Sequence, residues 1–159
     1  TVIKEAKKRN INPERIIFAN KTKSFKRHLA RYSLADLGLD TFNYNGHTTT
    51  SDTLCSGVPV LTKIGKSFSA RVSASILSSI NFKKLIALDE KEYEEKALFL
   101  ANNRDELKRL KNSLIEKLNN SPLTNYKKYT RDLENKYKKL LWKLFEKVIF
   151  YSKDLKSKS

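Results

Sequence analysis

The chain predicts an α/β fold, a Rossmann-like parallel sheet flanked by helices, with a helical C-terminal extension. Three observations predict it. Over residues 1–103, short apolar runs alternate with helical segments at the spacing of βαβ units, which build parallel sheets with right-handed crossovers. From Asp89 onward the pattern turns wholly helical, with apolar residues recurring at threes and fours. Between a strand end and a helix start lies the turn Asn45-Gly46, at the edge where such sheets bind ligands.

Taken in order, Val2 to Asn10 reads as a basic helix, and the turn signal Asn12-Pro13 precedes a strand from Arg15 to Phe18. Lys23 to Tyr32 reads as a helix. The alternating run Leu34 to Asp40 is expected to be a short buried strand around Leu37, followed by a helix from Thr49 that buries Leu54, Cys55 and Val58. Then come a strand from Val58 to Leu61, a helix from Ser69 to Ser79 and a short strand from Leu85 to Leu88. Asp89 is a natural cap for the helix carrying Tyr93, Ala97, Leu98 and Leu100.

A second terminal helix, from about Arg104, carries Leu107, Leu110, Leu114, Ile115 and Leu118. After the breaker Asn119-Asn120-Ser121-Pro122, a third presents Leu133, Tyr137, Leu140, Leu141, Leu144 and Val148, with Trp142, Phe145, Ile149 and Phe150 widening its apolar surface. Residues 1–103 are thus expected to form the α/β domain, and residues 104–159 to pack on it as helices.

The run Asn45-Gly46-His47-Thr48-Thr49-Thr50-Ser51-Asp52 concentrates groups that bind phosphate and sugar. A glycine turn feeding a helix N-terminus leaves backbone N–H groups unpaired, a ready anion site. The hydroxyls of Thr48, Thr49, Thr50 and Ser51 suit either capping or phosphate contact, and His47 adds a ring N–H. Asp52, one turn into the helix, is placed to accept from the two hydroxyls of a ribose, its charge favoured by the positive end of the helix dipole. The plainer reading, a threonine-rich cap with a solvated Asp52, remains open at this point. So does a surface role for His28, one turn before Arg31, and for Arg71 at the start of a later helix.

Further ordered blocks carry a resemblance. Arg15-Ile16-Ile17-Phe18, His28-Leu29-Ala30-Arg31, Leu34-Ala35-Asp36, Leu39-Asp40-Thr41, Asn45-Gly46-His47-Thr48-Thr49, Gly57-Val58-Pro59-Val60-Leu61-Thr62 and Ala70-Arg71-Val72-Ser73-Ala74-Ser75 resemble the C-terminal catalytic half of the O-GlcNAc transferases, glycosyltransferase family 41. The likeness continues through Glu92-Tyr93-Glu94, Ser121-Pro122-Leu123 and Tyr129 to Glu134, nearly the whole chain in order.

The resemblance implies the C-terminal half of a GT-B fold and a glycosyltransferase that moves N-acetylglucosamine from UDP-GlcNAc to Ser or Thr of an acceptor protein, inverting the anomeric carbon. It implies that His47, Thr48 and Thr49 hold the diphosphate, Asp52 the ribose, and His28 with Arg31 the uracil end. The loop from Ala19 to Arg27 lacks the family's proline and is one residue longer, so Lys21 and Lys23 are both candidates for the basic phosphate or uracil contact.

It further implies an N-terminal lobe, and a helical repeat array that binds acceptor proteins, ahead of residue 1. No catalytic residue is assigned within this stretch, and the isolated lobe is expected to bind the donor without turnover, because the acceptor is positioned from the other lobe. The last helix has two readings, crossing back to that lobe or packing on its own sheet.

Composition bounds the rest. The 159 residues suffice for one core, and 39% hydrophobic with 31% charged residues is an ordinary balance. The chain starts at Thr1, contains no methionine and opens on what reads as the end of a helix, so it is read as a fragment. The net charge of +16 raises the alternative of a basic, nonenzymatic module that binds nucleic acid or a membrane surface. Residues 104–159 hold sixteen Lys or Arg against seven Asp or Glu. Yet the lysines of the last helix alternate with apolar positions, and no RNA-binding aromatic signature or zinc-finger spacing occurs, so nucleic acid is not the expected partner.

Neither GxGxxG nor a phosphate-loop lysine motif is present. Two histidines nineteen residues apart and no cysteine or carboxylate cluster make a poor metal-ligand set, so a metal-independent reaction without cofactor is expected. One unpaired cysteine permits a cytoplasmic setting, and no apolar run approaches a membrane span.

Overall fold

A computed structural model describes residues 1–156, and their side chains up to residue 148. The N-terminal segment is helix α1 (Val2–Lys8), and a single 3-10 turn over Pro13–Arg15 follows it, its first amide taken by the Asn12 side chain. Helix α2 (Phe25–Tyr32) is capped by Ser24, whose hydroxyl accepts from Arg27 N–H. Strand β1 (Gly38–Leu39) leads to α3 (Thr48–Cys55), β2 (Val60–Lys63), α4 (Val72–Ser79) and β3 (Ile86–Ala87). Helices α5 (Glu90–Asn102), α6 (Arg104–Asn119) and α7 (Tyr126–Lys156) complete the chain.

The sheet is parallel, in order β1-β2-β3, with Gly38 opposite Val60 and Thr62 opposite Ile86. Helices α3 and α4 make the crossovers, so the fold is the helix-flanked parallel sheet that the alternation predicts. Its core joins Leu54 of α3, Val60 of β2, Leu77 of α4 and Leu110 and Leu114 of α6 with Phe82. Full burial of each such side chain stabilises the fold by roughly 1.5–3 kcal/mol. Gly57 ends α3 at φ +80°, a backbone conformation that glycine adopts without a Cβ penalty.

Several elements differ from the sequence reading. Arg15 to Phe18 is not a strand: the backbone is extended at Ile16, but among the described residues no neighbouring strand takes its hydrogen bonds, and Ile17 and Phe18 lie exposed. The run from Leu34 pairs only at Gly38–Leu39, because the Leu34 and Ala35 amides instead close the end of α2 on Arg31 O and Tyr32 O. The second strand begins two residues late. Val58 N–H returns to Thr53 O and Pro59 has no N–H, though Pro59 O accepts from Gly38 N–H at 2.8 Å.

Cys55 is exposed rather than buried, because the buried face of α3 is Thr50, Thr53 and Leu54, and Cys55 lies about 100° round the helix from Leu54. In α7 the apolar row Tyr137, Leu140, Leu141, Leu144 and Val148 is exposed, so these positions do not pack on the sheet as a buried face would. Ile149 and Phe150 lie outside the side chains described.

Candidate functional site

The carboxyl edge of the sheet is organised by Asp40, the residue immediately after β1. Its Oδ1 accepts from Gly46 N–H at 2.7 Å and from Thr41 N–H at 2.9 Å, and its Oδ2 accepts from the Thr62 hydroxyl of β2 at 2.6 Å. Charge-assisted bonds of this kind fold the 40–46 loop back over the strand ends. Asn45, 1% exposed, adds a bond from Nδ2 to Thr41 O, and its own N–H donates to Ser69 O. From α5, the Tyr93 hydroxyl donates to Asp40 O at 3.0 Å. Burial first, and the Asp40 charge second, push the Tyr93 phenol up to about 12.

This loop delivers the chain to α3 at Gly46. A Cβ there would lie 2.5 Å from Thr50 Oγ1 and 2.6 Å from Thr49 Oγ1, so only glycine lets the turn approach the helix this closely. The Ser73 hydroxyl of α4 donates to Gly46 O at 2.8 Å, which leaves the Thr50 hydroxyl to donate to Ser73 Oγ at 2.8 Å. Thr50 is buried and its hydroxyl is spent on packing, so it is not one of the open phosphate donors that the sequence suggests.

Helices α2, α5 and α6 each begin with a side chain accepting from a first-turn amide, whereas α3, like α1 and α4, has no side-chain cap. Its first amide with a backbone acceptor is that of Ser51, bonded to His47 O at 3.2 Å. The amides of Thr48, Thr49 and Thr50 are the ordinary orphan donors of a helix start, and the side chains of Thr48 and Thr49 are exposed beside them. His47, at the cap position, stacks on Tyr44 with centroids 5.1 Å apart and rings 7° from parallel.

Asp52 lies three and four residues beyond Thr49 and Thr48, hence on the same side of α3. Its carboxylate is half-buried, and among the described residues no donor makes a hydrogen bond to either oxygen; His28 Nε2 stands 3.8 Å from Oδ2. On α2, Arg31 Nη2 approaches His28 Nδ1 at 3.0 Å. A guanidinium only donates, so Nδ1 accepts and the ring proton sits on Nε2, facing Tyr32 OH at 3.3 Å and Asp52. Arg31 also donates to Asn20 O at 2.9 Å, and the Ser56 hydroxyl of the turn after α3 reaches Leu29 O at 3.3 Å.

The predicted residues therefore fall into two adjoining groups: His47, Thr48 and Thr49 at the start of α3, and His28, Arg31 and Asp52 one turn behind. Lys21 and Lys23 are not drawn into either group; both are exposed in the loop before α2, with no hydrogen bond or ion pair from their side chains among the described residues. Asp40, Ser73 and Tyr93, which hold the loop, stand in the resembling blocks, but the sequence reading gives them no role in the site. A carboxylate placed directly after a strand and six residues before a Gly turn was the available signal for Asp40.

Comparison with known proteins adds an independent observation. The Glycosyl transferase family 41 model matches residues 1–133. A probable UDP-N-acetylglucosamine–peptide N-acetylglucosaminyltransferase SPINDLY from Solanum lycopersicum is 39% identical over 118 residues, which span 74% of this chain and 13% of that protein. A UDP-N-acetylglucosamine–peptide N-acetylglucosaminyltransferase from Caenorhabditis elegans is 33% identical over 138 residues, 87% of this chain and 12% of that protein. Among solved structures, a mutant of the Thermobaculum terrenum O-GlcNAc transferase superposes with a TM-score of 0.79 at 29% identity, covering 86% of this chain and 26% of that one. The chain thus spans a small part of each relative's length.

Proposed function

The chain belongs to glycosyl transferase family 41, and from that premise we propose that it is the UDP-binding lobe of a protein O-GlcNAc transferase-like enzyme. The enzyme moves N-acetylglucosamine from UDP-GlcNAc to a Ser or Thr hydroxyl of an acceptor protein. The observation that carries the reading is Asp52: a half-buried carboxylate that accepts no hydrogen bond among the described residues, set between an uncapped helix start and the His28–Arg31 pair. The carboxylate keeps some solvent exposure, so its oxygens are open to a ligand that supplies donors. The two hydroxyls of a ribose do so.

In this reading the diphosphate lies at the start of α3, where the amides of Thr48, Thr49 and Thr50, the hydroxyls of Thr48 and Thr49 and the His47 ring supply donors. His28 and Arg31 meet the uracil end, with Lys21 or Lys23 free to close over it from the loop. As the sugar departs, negative charge grows on the diphosphate, and these donors stabilise it more strongly than they stabilise the intact donor. The bond from Arg31 to Asn20 O restrains the guanidinium on this side of the site, which supports the reading.

An N-terminal lobe outside this chain supplies the acceptor site and the general base, and a helical repeat array presents the acceptor protein. We place the enzyme in the cytoplasm as part of this reading. No helix among the described residues is long and apolar enough to cross a membrane. Departure of the diphosphate needs no metal ion, since helix amides, hydroxyls and a cation meet its charge. Activity of the two-lobed enzyme is accordingly expected to persist through chelation, and loss of activity restored by a divalent cation contradicts this.

Calorimetry of UDP with the chain and with Asp52→Ala tests the site. Binding that survives moderate salt and weakens about 10- to 100-fold in the variant is expected, the loss of hydrogen bonds to a charged acceptor being worth roughly 1.5–3 kcal/mol. Weak binding shared by any polyanion and indifferent to Asp52→Ala sinks the reading, because it describes a generic basic surface.

A further inference from the structure

The ring of His47 is not held by hydrogen bonds. Its Nε2 is buried without a partner, and among the described residues no hydrogen bond reaches either ring nitrogen. Two aromatic side chains hold it instead. Tyr44 stacks nearly parallel to it at 5.1 Å, and Phe68 meets it edge-on at 6.2 Å with rings 86° apart. Both aromatics are otherwise solvated, Tyr44 at 66% and Phe68 at 83% exposure, so core packing does not account for them.

The loops that carry them are tied together. Asn45 N–H donates to Ser69 O at 2.9 Å, and the Ser69 hydroxyl donates to Asn43 O at 3.1 Å. The Thr41 hydroxyl in turn donates to Tyr44 O at 2.6 Å. Tyr44 and Phe68 thus form a fixed bracket, and the imidazole is the part that it orients.

We propose that Tyr44 is a positioning residue for the diphosphate: stacked on His47, with Phe68 at the edge, it holds the ring with Nε2 turned inward and Nδ1 open at the start of α3. With Nε2 buried and unpartnered, a neutral ring protonated on Nδ1 leaves no buried donor orphaned, and this is the tautomer proposed. A phosphate oxygen needs a donor, and Nδ1–H is that donor. The inference rests on the UDP reading of this site and adds to it the residue that presents His47 to the ligand.

Aromatic pairs contribute modestly, so Tyr44→Ala is expected to weaken UDP binding about 3- to 10-fold, while Tyr44→Phe, which keeps the stacked ring, stays within about 2-fold of the parent. UDP without a sugar is the probe, so any contact of Tyr44 with a hexose does not enter. In a His47→Ala background, Tyr44→Ala is expected to cost nothing more, the signature of a residue acting through another. Ring nitrogen NMR of the unliganded chain is expected to show His47 protonated on Nδ1, and a mixture of tautomers in Tyr44→Ala. An equal cost of Tyr44→Ala with and without His47, or failure of Tyr44→Phe to restore affinity, overturns the proposal while leaving the UDP site standing. No UDP binding by the parent chain overturns both.

Discussion

Gly46 sits where the loop and α3 come closest, and the two threonine oxygens that a Cβ would strike differ in their freedom. Thr49 is exposed and can turn away; Thr50 is buried, β-branched and bonded to Ser73. Gly46→Ala therefore breaks the Thr50–Ser73–Gly46 chain or moves the loop, and a cost of about 1–3 kcal/mol in urea unfolding is expected, with UDP affinity falling alongside. An unchanged midpoint with unchanged affinity contradicts this account of the turn. Cap and phosphate chemistry draw on the same short list of residues, which is why His47, Thr48, Thr49 and Asp52 stood out as candidates in the sequence, although α3 has no side-chain cap. Thr50 was misjudged, since spacing alone does not reveal which hydroxyl a later helix will occupy.

At the scale of elements, α5 is fastened to the site loop by one phenol. Tyr93 packs edge-on against Phe42 at 4.9 Å and donates to Asp40 O, and its pKa is pushed up to about 12 from an ordinary value of 10. The sign follows directly: the fold favours the neutral phenol, so its contribution is intact below pH 10 and is lost as pH rises from 10 through 12. Alkaline titration followed by tyrosinate absorbance is expected to show a late component that is lost in Tyr93→Phe. A titration with no late component contradicts the burial of this phenol beside the Asp40 charge.

Helices were the more legible elements. Asp89 caps α5 as expected, and α6 buries Leu107, Leu110, Leu114 and Leu118 at the predicted spacing, whereas Ile115, read with them, lies exposed. Strands were less so, because an extended run becomes a strand only where a neighbour takes its hydrogen bonds, and that neighbour is distant in sequence. Arg15 to Phe18 lacks one among the described residues, and the run at Leu34 has one for only two residues.

For the molecule as a whole, two features compete for an anionic ligand: the start of α3, and a net charge of +16 weighted toward the terminal helices. The first offers directed amide and hydroxyl donors; the second is a diffuse field that salt screens. Helix α7, basic and with Trp142 70% exposed, shows the second feature most plainly, while membership of family 41 and the likeness to an O-GlcNAc transferase structure favour the first. The most direct test follows backbone amide NMR shifts of the chain as UDP is added at moderate salt. The account predicts the largest changes at Thr48, Thr49 and Thr50, with smaller ones at His28 and Asp52 and none along α7. Changes spread over the lysines of α7, with the start of α3 unmoved, would contradict it.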